Sequence, residues 1–128
     1  MKNIELGGIV ISGRGDGKKF LEMEWVKRQI IEKLGFTPYP GTLNIKLTGE
    51  STKRKKLLKK APSTKICPTE GFRSGLLFKG FIGIVECAIV IPETARYPKD
   101  LLEVLASVNL RKTLQLEDGF EVTVAVIV

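Results

Sequence analysis

Apolar residues recur along the chain at two different periods, and the switches between them outline its elements. Residues 4–12 (IELGGIVIS) are apolar and β-branched and read as a strand that runs into a glycine-rich loop, Gly13 to Lys19. Met23, Val26, Ile30 and Leu34 then repeat at spacings of three and four, charged residues fill much of the other face, and Gly35 stands where a C-terminal cap belongs. This pattern predicts an amphipathic helix packed on a sheet. Residues 36–40 (FTPYP) exclude regular helix, because each proline holds its predecessor extended. Alternation resumes over 41–47 (GTLNIKL), a strand with Leu43, Ile45 and Leu47 inward and Thr42, Asn44 and Lys46 on the opposite face.

The stretch from about 50 to 75 reads as an irregular connection, with a short helix around Leu57 and Leu58. Residues 76–91 (LLFKGFIGIVECAIVI) are long enough for two strands, with a turn or bulge at Gly80 and Gly83, and Pro92 ends them. Pro98 suits a first helical turn and Leu101, Leu102 and Leu105 fall at helical spacing, which predicts a short second helix over about 98–106. Residues 117–119 (EDG) form a turn signal before a last strand in which Phe120, Val122, Val124, Val126 and Val128 share a face. Many short strands, few helices and no repeated βαβ unit favour a mainly β fold, a compact barrel with one or two peripheral helices.

Composition narrows the class. With 128 residues, 43% of them hydrophobic, residues 1–128 have the size of one domain. No apolar run is long enough for a membrane span and the opening residues lack a signal-peptide pattern, so a cytoplasmic protein is expected. Histidine is absent and Cys67 and Cys87 stand alone, which excludes the usual zinc spacings and predicts two reduced, partly buried thiols. The net charge of +7 is local: Lys53, Arg54, Lys55, Lys56, Lys59 and Lys60 account for six of the 21 basic residues, and without them 15 basic face 14 acidic. Such a run is either a solvated face or a polyanion-binding patch, for nucleic acid or a nucleoside triphosphate.

Three segments could carry chemistry. The glycines of 13–17 let backbone N–H groups turn toward an anion, with Lys18 and Lys19 adding charge, although the spacing is neither a Walker A loop nor a dinucleotide fingerprint. Thr42 and Asn44 put two neutral oxygens on one strand face, a set that can complete the shell of a magnesium ion. Asn109, Leu110 and Arg111 follow Glu103; arginine suits phosphate, and glutamate can accept a hydroxyl proton. Each of these residue types is also ordinary surface.

Taken in order, the segments resemble a known family. Ser12 to Phe20 (SGRGDGKKF) is similar to the SGxGxGxxF opening of the archaeal CTP-dependent riboflavin kinases, and 34–47 (LGFTPYPGTLNIKL) to their LGFxPYxGTLN segment. AIVIPE at 88–93, RYPKDLLEVLA at 96–106 and VNLRKTLQLEDGFEV at 108–122 resemble the family's strand, helix, LR motif and DG turn. The resemblance implies a six-stranded barrel of the cradle-loop type, and transfer of a phosphoryl group from CTP to the 5′-hydroxyl of riboflavin. It implies nucleotide binding by Arg14, Gly15, Asp16, Gly17, Lys18 and Lys19 and by Val108, Asn109, Leu110 and Arg111. It further implies magnesium on Thr42 and Asn44, and flavin contact by Glu103. The family's flavin-contacting threonine corresponds to Ala95 here, with Thr94 beside it, and its KLR lysine corresponds to Asn109. Glu103 is the matched carboxylate able to orient the attacking hydroxyl or serve as catalytic base. CTP and riboflavin are then the expected partners of a monomeric enzyme. The rival readings are a nucleic-acid-binding barrel that uses the basic segment 53–60, and a nucleotide- or flavin-binding module without catalysis.

Overall fold

A computed structural model of the chain describes residues 3–13, 16–67, 74–94 and 96–128, without the side chain of Asp16. Its elements are β1 (Asn3–Ile11), α1 (Asp16–Glu22), α2 (Glu24–Leu34), β2 (Leu43–Leu47), α3 (Gly49–Lys55), a 3-10 turn (Lys56–Lys60) and β3 (Thr64–Ile66). They continue with β4 (Gly75–Ile82), β5 (Val85–Pro92), β6 (Leu101–Leu105), α4 (Leu110–Thr113) and β7 (Glu121–Ile127).

Six strands close into an antiparallel barrel in the order β4-β5-β6-β2-β1-β7, with β7 returning to β4 through the pairs Gly80–Val126 and Phe81–Ala125. Closure leaves the barrel strands no free edge. The short β3 pairs with 75–77 of β4, on the edge that meets β7 further along at Gly80 and Phe81. Alternation sends Leu6, Val10, Leu43, Ile45, Phe78, Ile89, Leu102, Val104, Val124 and Val126 into the barrel, where all are buried. A second core lies outside the barrel wall. There Leu21 of α1 and Val26, Ile30 and Leu34 of α2 cover Leu77, Ala88, Val90 and Leu105. The helical stripe of α2 therefore packs as its spacing predicts, and Gly35 caps it at φ 81°, its N–H donating to the Ile31 carbonyl at 3.0 Å.

The helix expected over 98–106 is instead strand β6, preceded by a turn in which Leu101 N–H reaches the Pro98 carbonyl. Leu102 and Val104 face the barrel interior while Leu105 faces α2, and all three are at most 1% exposed. A strand buried on both faces has apolar residues at successive positions, which imitates helical spacing. Helix propensity separates ordinary residues by less than about 0.7 kcal/mol each. Full burial of one such side chain is worth about 1.5–3 kcal/mol, so packing decides.

The segment expected to be irregular does carry the short helix expected around Leu57 and Leu58, as the 3-10 turn, but α3 precedes it and β3 follows. Thr48 caps α3 by accepting from Ser51 N–H at 3.1 Å, and the buried Ser51 hydroxyl accepts from Gly7 N–H at 2.9 Å, which seats the helix on β1. The glycine-rich stretch passes into α1 at Asp16, earlier than a loop through Lys19 would require. In β7, Val122, Val124 and Val126 face inward as expected, whereas Phe120 precedes the strand and is exposed. The hairpin over 76–91 is β4 and β5, turning at Gly83 and Ile84.

Cys67 is exposed and Cys87 is buried in the barrel, where burial, reinforced by Glu86, pushes its thiol up to about 12. In the folded protein DTNB is therefore expected to titrate one thiol per chain, Cys67, and the second only after denaturation. Two fast-reacting thiols would contradict this packing.

Candidate functional site

On the barrel's outer face, β2 and β6 bring together residues far apart in sequence. Their register sets Asn44 directly beside Glu103, whose other neighbour is Val90 of β5. Thr42 shares the face of Asn44. Its Oγ1 lies 3.3 Å from Asn44 Oδ1 and 3.4 Å from Glu103 Oε1. The hydroxyl has one proton to offer two acceptors, so the cluster holds a surplus of oxygen lone pairs. Hydroxyl, amide and carboxylate oxygens are hard donors, a set that fits a magnesium ion completing its shell with water and phosphate. Among the described residues no group of three or more His, Cys, Asp or Glu could bind a metal by itself.

Tyr97 approaches Glu103 from the turn before β6, and its O–H donates to Glu103 Oε2 at 2.8 Å. Burial, and then the neighbouring carboxylate, push the phenol above its ordinary range, so it remains a neutral donor. Lys55, at the end of α3, places its Nζ 5.1 Å from the centre of the Tyr97 ring and donates to the Leu101 carbonyl at 2.8 Å. Burial draws the pKa of this lysine down, against the pull of Asp100 and Glu103. Arg54 is committed too: it pairs with Glu50 at 2.9 Å and donates to the Glu5 carbonyl. The basic run is thus not a uniform solvated face.

A cleft of about 190 Å³ begins at Gly41 and Thr42 and extends to Val108, Asn109, Leu110 and Arg111, with Tyr39 along one wall. Asn109 caps α4 by accepting from Lys112 N–H at 3.2 Å, while its amide donates to Tyr39 O–H at 3.1 Å. Leu110 is only 5% exposed, its side chain in the barrel core, so it can offer a ligand little besides its backbone. Arg111 donates to the Ile11 carbonyl at 3.0 Å and pairs with Asp118 at 2.6 Å. Ser12 donates to the other Asp118 oxygen at 2.5 Å. The Ser12 hydrogen bond, then Arg111, hold the Asp118 carboxyl below its usual range. This network fastens the root of the glycine-rich segment to the LR motif and the DG turn. Gly13 completes the junction: a Cβ there would stand 1.9 Å from Asn44 Nδ2.

The structure thus joins Thr42, Asn44 and Glu103 in one cluster and sets Val108 to Arg111 along the adjoining cleft. Lys18 and Lys19 are exposed on α1, outside the cluster. Thr94 lies in the turn leading to Tyr97, accepting from Arg96 N–H through its hydroxyl at 3.4 Å. Arg14, Gly15 and Ala95 lie outside the described residues, as does the side chain of Asp16. Tyr39, Tyr97, Lys55 and Asp118 lie within the motif segments or the basic run, but nothing there marks them as site residues; each is singled out by a contact across elements. No helix among the described residues is long and apolar enough to cross a membrane.

A family model named for CTP-dependent riboflavin kinase, with the description "Domain of unknown function DUF120", matches residues 10–126. A riboflavin kinase of Methanococcoides burtonii is 42% identical over 130 residues, covering 96% of this chain and 57% of that protein. One of Ignicoccus hospitalis is 43% identical, covering 98% of this chain and 72% of its own, and one of Pyrobaculum islandicum is 41% identical, covering 97% and 61%. The chain therefore spans between about half and three quarters of the length of these relatives. With a family model matched over nearly its whole length and relatives at this identity, the chain belongs to the CTP-dependent riboflavin kinase family.

Proposed function

We propose that this chain is a single-domain, monomeric, cytoplasmic kinase that transfers the γ-phosphoryl group of CTP to the 5′-hydroxyl of riboflavin, releasing CDP and FMN. The observation that carries this reading is the oxygen cluster of Thr42, Asn44 and Glu103 at the mouth of the cleft leading to Arg111. Phosphoryl transfer needs alignment and charge neutralisation more than covalent chemistry, and the chain has neither histidine nor a paired thiol to supply the latter.

In this reading Thr42 and Asn44 hold magnesium, which when bound supplies neutralisation of the triphosphate. Glycines and cations from Arg14 to Lys19, with Val108 to Arg111, hold the nucleotide, Leu110 through its backbone. Glu103, with Thr94 and the neighbouring Ala95, contacts the flavin. Glu103 Oε1, which only the Thr42 hydroxyl among the described residues approaches, at 3.4 Å, orients the 5′-hydroxyl and takes its proton as the oxygen attacks phosphorus and the bond to CDP breaks.

Incubation with riboflavin, magnesium and each of the four nucleoside triphosphates, followed by chromatography, tests the reading. FMN is expected with CTP and magnesium, and not when the metal is chelated. No FMN with any donor would overturn it.

A further inference from the structure

The Glu103 carboxylate is held closely on one oxygen and only loosely on the other. Its Oε1 faces Thr42, which lines the cleft, while its Oε2 receives the Tyr97 O–H at 2.8 Å. A glutamate on the outer face of a strand has three rotatable side-chain bonds, and one bond to a flexible hydroxyl at 3.4 Å would not fix it. Tyr97 is itself restrained: Lys55 Nζ sits 5.1 Å from its ring centre, and the same ammonium binds the carbonyls of Lys99 at 3.4 Å and Leu101 at 2.8 Å, in the backbone entering β6. One lysine therefore fixes both the aromatic ring and the chain that delivers Glu103.

We propose that Tyr97 is a positioning residue that aims the Glu103 carboxylate at the attacking hydroxyl, and that Lys55 is the clamp that positions Tyr97. This rests on the kinase reading above. It also divides the basic segment: Lys55 works inward at the site, while Lys53, Lys56, Lys59 and Lys60 remain exposed.

The test is a double-mutant cycle on the full chain, measuring kcat and KM for riboflavin and CTP. Tyr97→Phe removes one hydroxyl and is expected to lower kcat about 10- to 100-fold, as loss of an orienting partner does, with KM for CTP unchanged. In a Glu103→Ala background, where no carboxylate is left to aim, the same change is expected to have no further effect. Lys55→Met should lower kcat in the same direction by about threefold to tenfold, and Lys55→Arg, which keeps the cation over the ring, should restore part of it. Wild-type turnover in Tyr97→Phe, or an equal loss in both backgrounds, overturns the positioning role alone. Should Tyr97→Phe not fold, the Lys55 pair decides, and equal kcat in Lys55→Met and the wild type overturns the clamp. Absence of FMN from the wild type overturns both this proposal and the reading beneath it.

Discussion

Glu103→Gln is expected to lower the rate of FMN formation by about 10²- to 10⁴-fold, the range that a positioned acid or base contributes. The substitution keeps the size of the side chain. A glutamine carbonyl can still accept from Tyr97, and its amide can still meet Thr42, so the neighbouring geometry survives. What it loses is the ability to take a proton and the negative charge among the clustered oxygens beside the cleft. Glu103 is half-buried on the outer face of the barrel at the margin of the second core, beside Val90, and because the substitution keeps its size the melting temperature should move by no more than a few degrees. Steady-state kinetics and thermal unfolding on the same preparation check both halves. Full turnover by the variant would rule out the role of Glu103 as base.

Gly13→Ala should produce the second large loss, about 100-fold in turnover, the scale expected when a reacting arrangement is displaced by about 1 Å. Gly13 does not have the positive φ seen at Gly35, Gly41, Gly83 and Gly119, so the penalty is one of contact rather than backbone strain. The added methyl would lie 1.9 Å from Asn44 Nδ2, and the obstructing atom is the end of a side chain that can swing aside. The fold therefore accommodates the change by moving the Asn44 amide out of line with Thr42. The loss should come with a raised magnesium requirement, read by titrating the metal, and only a small fall in melting temperature. Unchanged turnover and metal requirement would mean that the position of Asn44 is not used.

Both variants depend on features that sequence reveals unequally. The stripe Val26, Ile30, Leu34 and the alternation of Leu43, Ile45, Leu47 are single-face patterns, and each folds as its period predicts. β6 is hidden because its faces enter different cores, so apolar residues crowd together. α3 is hidden by the charges of the basic run, although Thr48 supplies an N-cap. Thr42, Asn44, Glu103 and Arg111 can be picked out by residue type and by family resemblance, but nothing near Thr42 indicates that a carboxylate 61 residues away will lie 3.4 Å from it. That meeting depends on the pairing of β2 with β6, a long-range event with no local signature. Tyr97 and Lys55 are less legible still, since neither residue type nor spacing separates them from ordinary turn and surface residues.

The order of strands around the barrel has a mechanical consequence. The ring closes at β4 and β7 through Gly80–Val126 and Phe81–Ala125, whereas β2 and β6 lie midway round it. The seam is the shortest ladder of the ring, and the ladder carrying Asn44 and Glu103 lies across the barrel from it, so the register that assembles the oxygen cluster does not depend on the pairs that close the wall.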